Sequence, residues 1–253
     1  MDEILIIGHG VVGSGLKSEL SMLCPDVFDK YNGYNTARDI QYDIAFICVD
    51  TPLTDTCDCD ISEVRNAIQE HDAKLYVIKS TVLPSTTDML AEETGKDIVF
   101  SPEFYGATQH SRGFDFNYTI LGGQKKSCQK VIQILQKVYD GRHQFRMTDA
   151  KTAELVKYME NSFLATKLSF CHQFFNIAEQ EGISYEELRE LFILDPRINE
   201  SHTFVYRDMP YWSSHCLNKD VRAIANKYDA SLIKDVIRFN VKQKGKYNDT
   251  NKR

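Results

Sequence analysis

The sequence of 253 residues predicts an α/β protein in which a doubly wound parallel sheet is followed by an all-helical domain with a long central helix. Two observations predict this fold class. Short apolar runs alternate with helical segments up to about residue 148, which is typical of βαβ units. Beyond that point neither proline nor glycine occurs before Gly182, and apolar residues recur at helical spacing.

Each predicted strand is a short apolar run that ends in turn-forming residues. The candidate strands cover residues 4–7, 27–28, 44–49, 75–78, 98–100 and 118–121. The predicted helices include residues 61–70, 131–139, 149–181, 188–194 and 221–241. These elements divide the chain into a sheet domain over residues 1–148, a helical domain over 149–241 and a polar tail over 242–253. The tail carries five Lys and Arg residues, and we expect it to be frayed or disordered.

Composition excludes several classes of function. With 42% hydrophobic and 26% charged residues the chain is typical of globular proteins, and its net charge of −6 argues against a general nucleic-acid binder. No apolar run approaches the ~20 residues that span a bilayer. The acidic start, Asp2-Glu3, is typical of neither a signal peptide nor a transit peptide. Because seven cysteines fit a reducing compartment better than a disulfide framework, we expect a cytoplasmic protein.

A glycine fingerprint directly follows the first predicted strand. It reads Gly8-His9-Gly10-Val11-Val12-Gly13 and precedes leucines at helical spacing, which is the context of a Rossmann-type dinucleotide site. Gly8 permits a tight turn, Gly10 admits a pyrophosphate, and Gly13 allows close packing of helix on strand. The N-terminus of the helix would attract the anion. A glycine-rich turn without a ligand is the alternative interpretation.

An acidic residue ends the second predicted strand. Asp29 lies 21 positions beyond Gly8 and would bind the ribose hydroxyls, which favours NAD over NADP. Lys30 beside it is a cation that could accept a phosphate. Two threonines, Thr51 and Thr81, follow later strands and could line the nicotinamide side of the site, although turn chemistry alone explains such residues. The predicted cofactor-binding residues are Gly8, Gly10, Val12, Gly13, Asp29, Lys30, Thr51 and Thr81.

Other polar residues are spaced so that they could form a reaction centre. Lys157 and Asn161 are four residues apart and therefore project from one face of a helix. Cys216 is followed four positions later by Asp220, with Lys219 between them as a cation that could lower the pKa of the thiol. A thiol can trap an aldehyde as a hemithioacetal, which a dinucleotide can then oxidise to a thioester. A solvated lysine and a buried structural cysteine are the alternatives.

The whole set resembles the UDP-glucose 6-dehydrogenases and their GDP-mannose relatives. That family carries, in order, G-x-G-x-x-G, T-P, S-T-V-P, P-E-F, K-x-x-x-N on a long helix, D-P-R-I and C-x-x-K-D. This chain shows the glycines together with Thr51-Pro52, Ser80-Thr81-Val82, Pro102-Glu103-Phe104, Lys157/Asn161, Asp195-Pro196-Arg197-Ile198 and Cys216/Lys219/Asp220. The order is the same throughout, and the resemblance covers nearly the entire chain.

The resemblance implies an enzyme that oxidises the primary alcohol of a nucleotide sugar to an acid with two NAD per turnover. Cys216 would be the nucleophile that holds the aldehyde and then the thioester. Lys157 and Asn161 would stabilise oxyanions, and Asp220 and Thr81 would position water for Glu103, the general base. The substrate-binding residues would be Glu103, Lys157, Asn161, Arg197 and Lys219, with Arg197 reaching the site of a neighbouring subunit in a homodimer built on the long helix.

Three departures from the family pattern stand out. Side chains occupy the glycine-rich loop before the cysteine, which here reads Tyr211-Trp212-Ser213-Ser214-His215. A second glutamate four residues after P-E-F is replaced by Ala107. The family also has a third, nucleotide-gripping domain, so the sequence is expected to represent a short form without it, or one in which a separate protein supplies it.

Two other functions are compatible with the same residues. The two-domain outline also resembles the 3-hydroxyisobutyrate and 6-phosphogluconate dehydrogenases, which act on a smaller hydroxy acid or sugar phosphate and need no cysteine. A catalytically silent NAD-binding protein is the second alternative. Structural zinc is not expected at the acidic and cysteine-rich loop, because its spacing lacks a second ligand pair and a histidine. That loop contains Asp55, Cys57, Asp58, Cys59 and Asp60.

Overall fold

The computed structural model describes residues 2–104 and 116–250, with side chains described to residue 247. Ala107 and residues 251–253 lie outside the described residues. The chain forms two compact units, Met1–Lys157 and Tyr158–Arg253. Their boundary lies beyond residue 148, where the sequence pattern changes, because the first turns of the long helix pack on the sheet.

The first unit is built on one sheet, which has eight strands within the described residues. The strands are β1 (Ile4–Ile7), β2 (Asp26–Asp29), β3 (Tyr34–Asn35), β4 (Ile44–Ile47), β5 (Tyr76–Ile78), β6 (Ile98–Phe100), β7 (Tyr118–Gly122) and β8 (Gln144–Thr148). Their order is β3-β2-β1-β4-β5-β6-β7-β8. The pairs β2/β3 and β6/β7 are antiparallel and the others are parallel. The predicted α/β class and all six predicted strands are confirmed.

Helices cover both faces of this sheet, and this explains why its central strands are apolar throughout. The helices of the first unit are α1 (Val11–Glu19), α2 (Ser62–Glu70), α3 (Thr86–Thr94), α4 (Lys125–Leu135) and the beginning of α5 (Ala150–Glu181). Successive residues of β1 alternate between two cores, with Leu5 and Ile7 in one and Ile4 and Ile6 in the other. Helix α4 begins earlier and ends earlier than the predicted residues 131–139.

A buried carboxylate fixes the first turns of α5. Asp149 caps the helix by accepting hydrogen bonds from the N–H and the hydroxyl of Thr152, at 2.8 and 2.7 Å. One turn on, the fully buried Glu154 accepts bonds from the N–H groups of Ser85 and Thr87, at 2.6 and 2.8 Å, and from the Thr87 hydroxyl. These groups lie at the start of α3, so α5 stabilises the N-terminus of another helix of the unit.

The second unit contains the rest of α5 together with α6 (Tyr185–Phe192), α7 (His215–Lys227) and α8 (Ser231–Thr250). Helix α5 ends where predicted, at Gly182, which adopts a positive φ of 69°. The predicted single helix over residues 221–241 is wrong. The chain breaks between α7 and α8, where Asp229 has a φ of 50°, a conformation that aspartate tolerates better than most residues. Residues 242–250 of the predicted polar tail are helical, because α8 continues to Thr250, and the rest of that tail lies outside the described residues.

The core of the second unit is organised around Trp212. Its ring is buried with Ala165, Leu217, Val221 and Val236. The indole N–H donates to the hydroxyl of Ser169 at 2.9 Å, and the backbone of Trp212 exchanges two hydrogen bonds with the Asn240 amide. The segment before α7 is thereby attached to both α5 and α8.

One buried group predicts how stability depends on pH. His172 on α5 is 3% exposed, and burial lowers the pKa of its imidazole to about 4. The unfolded chain therefore binds a proton that the folded chain does not, between pH 6.5 and about 4. As the pH is lowered through that window, we expect the free energy of unfolding to decrease. The decrease should be larger in the wild type than in a His172→Phe variant, by roughly 2–3 kcal/mol.

Urea unfolding at several pH values from 7.5 to 4 measures this difference. The matched control is His215→Gln in the same unit, because His215 is exposed and its loss is not expected to flatten the acid limb. Parallel pH profiles for the wild type and His172→Phe would contradict the assignment.

Candidate functional site

The turn between β1 and α1 requires two of its glycines. Gly8 adopts a φ of 93°, and a Cβ there would lie 2.5 Å from the carbonyl oxygen of Cys48. A Cβ at Gly13 would lie 1.9 Å from the carbonyl oxygen of Gly8. Both distances are far shorter than van der Waals contact, so only glycine fits. The tight turn and the close packing of helix on strand are as the sequence predicts.

The third glycine leaves open space. Gly10 is exposed, and a Cβ there would meet no protein atom within 4 Å. Gly10 is the N-cap of α1, and no side chain caps the helix. Val12, half-buried, lies in the first turn. The unpaired N–H groups of this turn and the room beside Gly10 fit the pyrophosphate of a dinucleotide.

A cleft of about 400 Å³ opens beside this turn. Asp29 lines it and is 9% exposed. Its carboxylate accepts hydrogen bonds from the N–H groups of His9 at 2.7 Å, Tyr31 at 2.9 Å and Asn32 at 2.8 Å. Burial alone would raise the pKa of this carboxyl, but these donors outweigh it and lower the pKa below its usual value. The carboxylate is therefore ionised and held at the cleft wall.

Lys30 also lines the cleft, and it is paired across to α2. Its ammonium lies 3.0 and 3.1 Å from the two carboxylate oxygens of Glu63. The sequence predicted Lys30 as a cofactor contact but gave no sign of Glu63, because the two residues are 33 positions apart.

The loops that follow β4, β5 and β6 lie at one edge of the sheet, as predicted. Thr51 is buried, and its hydroxyl donates to the carbonyl oxygen of Thr81 at 2.7 Å. Glu103 is mostly buried and forms an ion pair with Lys79, with Nζ 3.0 Å from Oε2. The other oxygen of Glu103 accepts from the N–H of Phe104 at 2.8 Å. Lys79 precedes the Ser80-Thr81 motif, a position from which the sequence could have indicated it.

Lys157 lies at the end of the first unit, on α5. It is 9% exposed, and its ammonium lies 4.9 Å from the centre of the Phe104 ring, within the range of a cation–π interaction. Phe104 directly follows Glu103 in the P-E-F motif, so two predicted motifs meet within this unit.

A second polar cluster lies wholly within the second unit. The buried amide of Asn161 donates from Nδ2 to the Asp220 carboxylate at 2.6 Å, and the other oxygen of Asp220 accepts from the Lys219 ammonium. Asp220 is 1% exposed. Cys216 lies in the first turn of α7, one turn before Asp220, and is exposed. Three predicted residues therefore bond to one another one helical turn from the predicted nucleophile.

The loop before Cys216 holds the side chains of Trp212, Ser214 and His215 without backbone strain at the helix cap. Ser214 is the N-cap of α7, with ordinary extended backbone, and its hydroxyl accepts from the N–H of Leu217 at 3.2 Å. Trp212 belongs to the core rather than to a surface, as described above. His215 is exposed at the first helical position. The side chains that replace the family's glycines are thus accommodated in the fold: Ser214 caps α7, and the ring of Trp212 packs in the core.

Arg197 is separate from this cluster. Its side chain is 86% exposed and forms an ion pair with Asp195 two residues earlier. Ion pairing raises the pKa of Arg197.

The described residues contain no group of three or more His, Cys, Asp or Glu side chains arranged to hold a metal ion. In the same part of the chain, every helix is too short or too polar to cross a membrane.

The α/β unit, its glycine turn and its acidic cleft wall define a dinucleotide-binding protein whose helical unit follows the sheet. Two models of the UDP-glucose/GDP-mannose dehydrogenase family match the chain, the NAD binding domain over residues 30–142 and the central domain over residues 151–242. The chain belongs to this family and carries its NAD-binding domain.

Individual relatives agree with this assignment. The chain is 33% identical to UDP-glucose 6-dehydrogenase of Rickettsia felis, over 77% of this chain and 47% of the relative. It is 30% identical to UDP-N-acetyl-D-mannosamine dehydrogenase of Methanocaldococcus jannaschii, over 78% of this chain and 48% of the relative. The chain therefore spans about half the length of the curated relatives it matches. A UDP-glucose dehydrogenase structure from Pyrobaculum islandicum shares the fold, with a TM-score of 0.78 at 22% identity, covering 95% of this chain and 68% of that one.

The glycine geometry predicts opposite outcomes for two substitutions. Gly10→Ala is expected to leave the free energy of unfolding almost unchanged but to weaken NAD binding at least about tenfold, because the methyl group occupies the approach of the pyrophosphate. Gly13→Ala is expected to destabilise the fold by about 3 kcal/mol, because the new Cβ overlaps the Gly8 carbonyl.

Thermal unfolding and calorimetric NAD titration separate these two effects. Unchanged NAD affinity in a folded Gly10→Ala variant would contradict the placement of the pyrophosphate.

Proposed function

We propose that the protein oxidises the primary alcohol of a nucleotide sugar to the uronic acid, with NAD as the oxidant and a thioester on Cys216 as the intermediate. One observation supports this proposal above the others. An exposed thiol lies in the first turn of a helix, and one turn further on Asp220 is bonded to both Asn161 and Lys219. These are the residues that the family motifs share.

Cys216 is better suited to be a nucleophile than the buried thiols of the chain. Burial raises the pKa of Cys48 to about 12, and it also raises the pKa of Cys128 and of Cys171. Those thiols stay protonated at neutral pH. Cys216 is exposed near the N-terminus of α7, where the helix dipole stabilises a thiolate.

The proposed chemistry has two oxidations and one hydrolysis. The alcohol first loses a hydride and a proton to give an aldehyde. The Cys216 thiolate then forms a C–S bond to the aldehyde carbon, and loss of a second hydride from this hemithioacetal gives a thioester. Water adds to the thioester carbonyl carbon and the C–S bond breaks, which gives the carboxylate, the Cys216 thiolate and two protons that pass to a general base and to solvent. NAD, when bound, accepts both hydrides, so two NAD are reduced for each acid formed.

The remaining family residues are assigned to charge stabilisation and proton transfer. Asn161 is held by its bond to Asp220, so its amide is oriented before the substrate binds, as an oxyanion donor should be. Lys157 supplies a cation for the same purpose. Glu103 would accept a proton from water in the hydrolysis, and its carboxylate is held in place by the ion pair with Lys79. Thr81 and Asp220 would position that water.

The substrate class follows from the relatives, and the sugar and base are left to experiment. The named relatives act on different sugars, so we propose a nucleoside diphosphate sugar without choosing one. Arg197 and Lys219 would contact this substrate. The exposure of Arg197 supports a role at a surface that a neighbouring subunit could approach.

The state of the cysteines supports a reducing compartment such as the cytoplasm. None of the seven cysteines forms a disulfide in the structure, and Cys24 and Cys216 among them are exposed.

The thiol mechanism predicts the effect of one substitution. With NAD and a panel of UDP- and GDP-sugars, the wild type is expected to form two NADH per uronic acid. Cys216→Ala is expected to reduce uronic acid formation by at least about 100-fold, because the thioester cannot form. Any NADH that this variant still forms should be matched by aldehyde, which hydroxylamine traps.

Cys24→Ser is the matched control, since it removes another exposed thiol. Full activity of Cys216→Ala on a small hydroxy acid would replace this proposal with the smaller-substrate dehydrogenase. Binding of NAD without NADH formation from any sugar would favour the silent NAD-binding protein.

We also propose a symmetric homodimer packed through α5. This helix has 32 residues, or about 48 Å. It exposes large apolar side chains along one stripe, including Met159 at 75% and Phe163 at 64%. The stripe consists of Leu155, Met159, Phe163, Phe170 and Phe174. Soluble proteins usually cover such a patch, and two copies of one helix face can do so across a twofold axis.

The dimer predicts a change in mass on substitution of the stripe. Light scattering at micromolar concentration is expected to give twice the 29.1 kDa chain mass for the wild type and a shift toward monomer for Met159→Glu combined with Phe163→Glu. Glu179→Gln changes an exposed residue on the opposite face of the same helix and should leave the dimer intact. A wild-type monomer would contradict the prediction.

A further inference from the structure

The cleft that fits the cofactor has two walls of unlike chemistry. One wall is the end of β2 and the turn after it, which contribute Asp29, Lys30 and Asn32. The other is α2, which contributes Glu63, Asn66, Ala67 and Glu70. The ribose that carries the difference between NAD and NADP would lie against Asp29, at the end of β2. Side chains that reach that position from either wall can therefore affect which dinucleotide binds.

The charges that line the cleft disfavour a phosphate. Its lining residues include four carboxylates and one ammonium group. The carboxylates are those of Asp29, Asp50, Glu63 and Glu70, and the ammonium is that of Lys30. His71 also lines the cleft, and burial lowers the pKa of its imidazole, so it adds no positive charge at neutral pH. Among these lining residues, Lys30 is therefore the cation with which a 2′-phosphate could pair.

The Lys30 ammonium is directed at a carboxylate of the opposite wall. Its ammonium is held between both oxygens of Glu63, at 3.0 and 3.1 Å, so the ion pair connects the two walls. This pairing raises the pKa of Lys30. The ammonium stays charged, but its nearest counter-charge is a protein carboxylate that a phosphate would have to displace. A cation next in sequence to Asp29 is thereby kept from serving NADP.

We propose that Glu63 is a residue that determines cofactor specificity, because it holds Lys30 in an ion pair and so denies that cation to the 2′-phosphate of NADP. The carboxylate of Asp29 excludes the phosphate directly, and Glu63 excludes it by pairing with Lys30, the cation among the described residues that line the cleft. Removing the Glu63 charge should release Lys30 while leaving Asp29 and the glycine turn as they are.

Calorimetric titration of the full chain with NAD⁺ and with NADP⁺ tests the proposal without depending on turnover. The wild type is expected to bind NAD⁺ more tightly. Glu63→Gln is expected to lower the Kd for NADP⁺ by about 5- to 20-fold and to change the Kd for NAD⁺ by less than about twofold. The gain should shrink as salt is added, because it depends on an exposed charge.

Two further variants separate release of the lysine from simple loss of negative charge. Glu70→Gln removes a carboxylate from the same helix and the same cleft, so it should improve NADP⁺ binding by less than about twofold. Lys30→Ala combined with Glu63→Gln should abolish the gain. Circular dichroism checks that each variant is folded.

Several results would overturn the proposal. They are an unchanged Kd for NADP⁺ in Glu63→Gln, an equal gain in Glu70→Gln, or a gain that survives the loss of Lys30. A wild-type chain that binds NADP⁺ as tightly as NAD⁺, or that binds neither, would overturn it as well.

Discussion

The close approach of α1 to the end of β1 is the constraint on which the rest of the first unit depends. There is no room for a Cβ at Gly13, which lies against the Gly8 carbonyl, or at Gly8, which lies against Cys48. This contact sets where the N-terminus of α1 points and brings it beside the neighbouring strand that ends at Asp29. The same contact therefore fixes the N-terminus of α1, the Asp29 carboxylate and the cleft between them, where we expect the pyrophosphate and the ribose of NAD to bind.

Three buried carboxylates also fix the positions of the groups around them. Asp29, Glu154 and Asp220 are each almost fully buried, and each accepts several hydrogen bonds. A carboxylate removed from water without such donors would be strongly destabilising, so each one requires its partners to be in place. Asp29 and Asp220 lie in the predicted cofactor and thiol regions, whereas Glu154 stabilises the start of a helix. Buried, hydrogen-bonded carboxylates are thus found in both predicted sites and also at a position that serves folding alone.

The errors in predicting elements have local causes. Strands β3 and β8 were missed because one has two residues and the other, Gln144–Thr148, lacks a continuous apolar run. The helix predicted over residues 221–241 broke at Asp229, whose left-handed backbone leaves little trace in the apolar pattern. The composition of the polar end of α8 predicts a tail, because helix formation there depends on continuation from residues packed in the core, such as Val236 and Asn240.

The sequence by itself determined the fold class, the glycine turn, the extent of α5 and the family, because each is encoded by residues close together or by motifs in fixed order. Only the tertiary structure decided which side chains pair. Glu63 with Lys30, Lys79 with Glu103 and Asn161 with Asp220 are separated by tens of residues. Their pairing depends on how strands and helices pack. Spacing along the chain predicts periodic elements but does not predict which residues from different elements come within about 3 Å of each other.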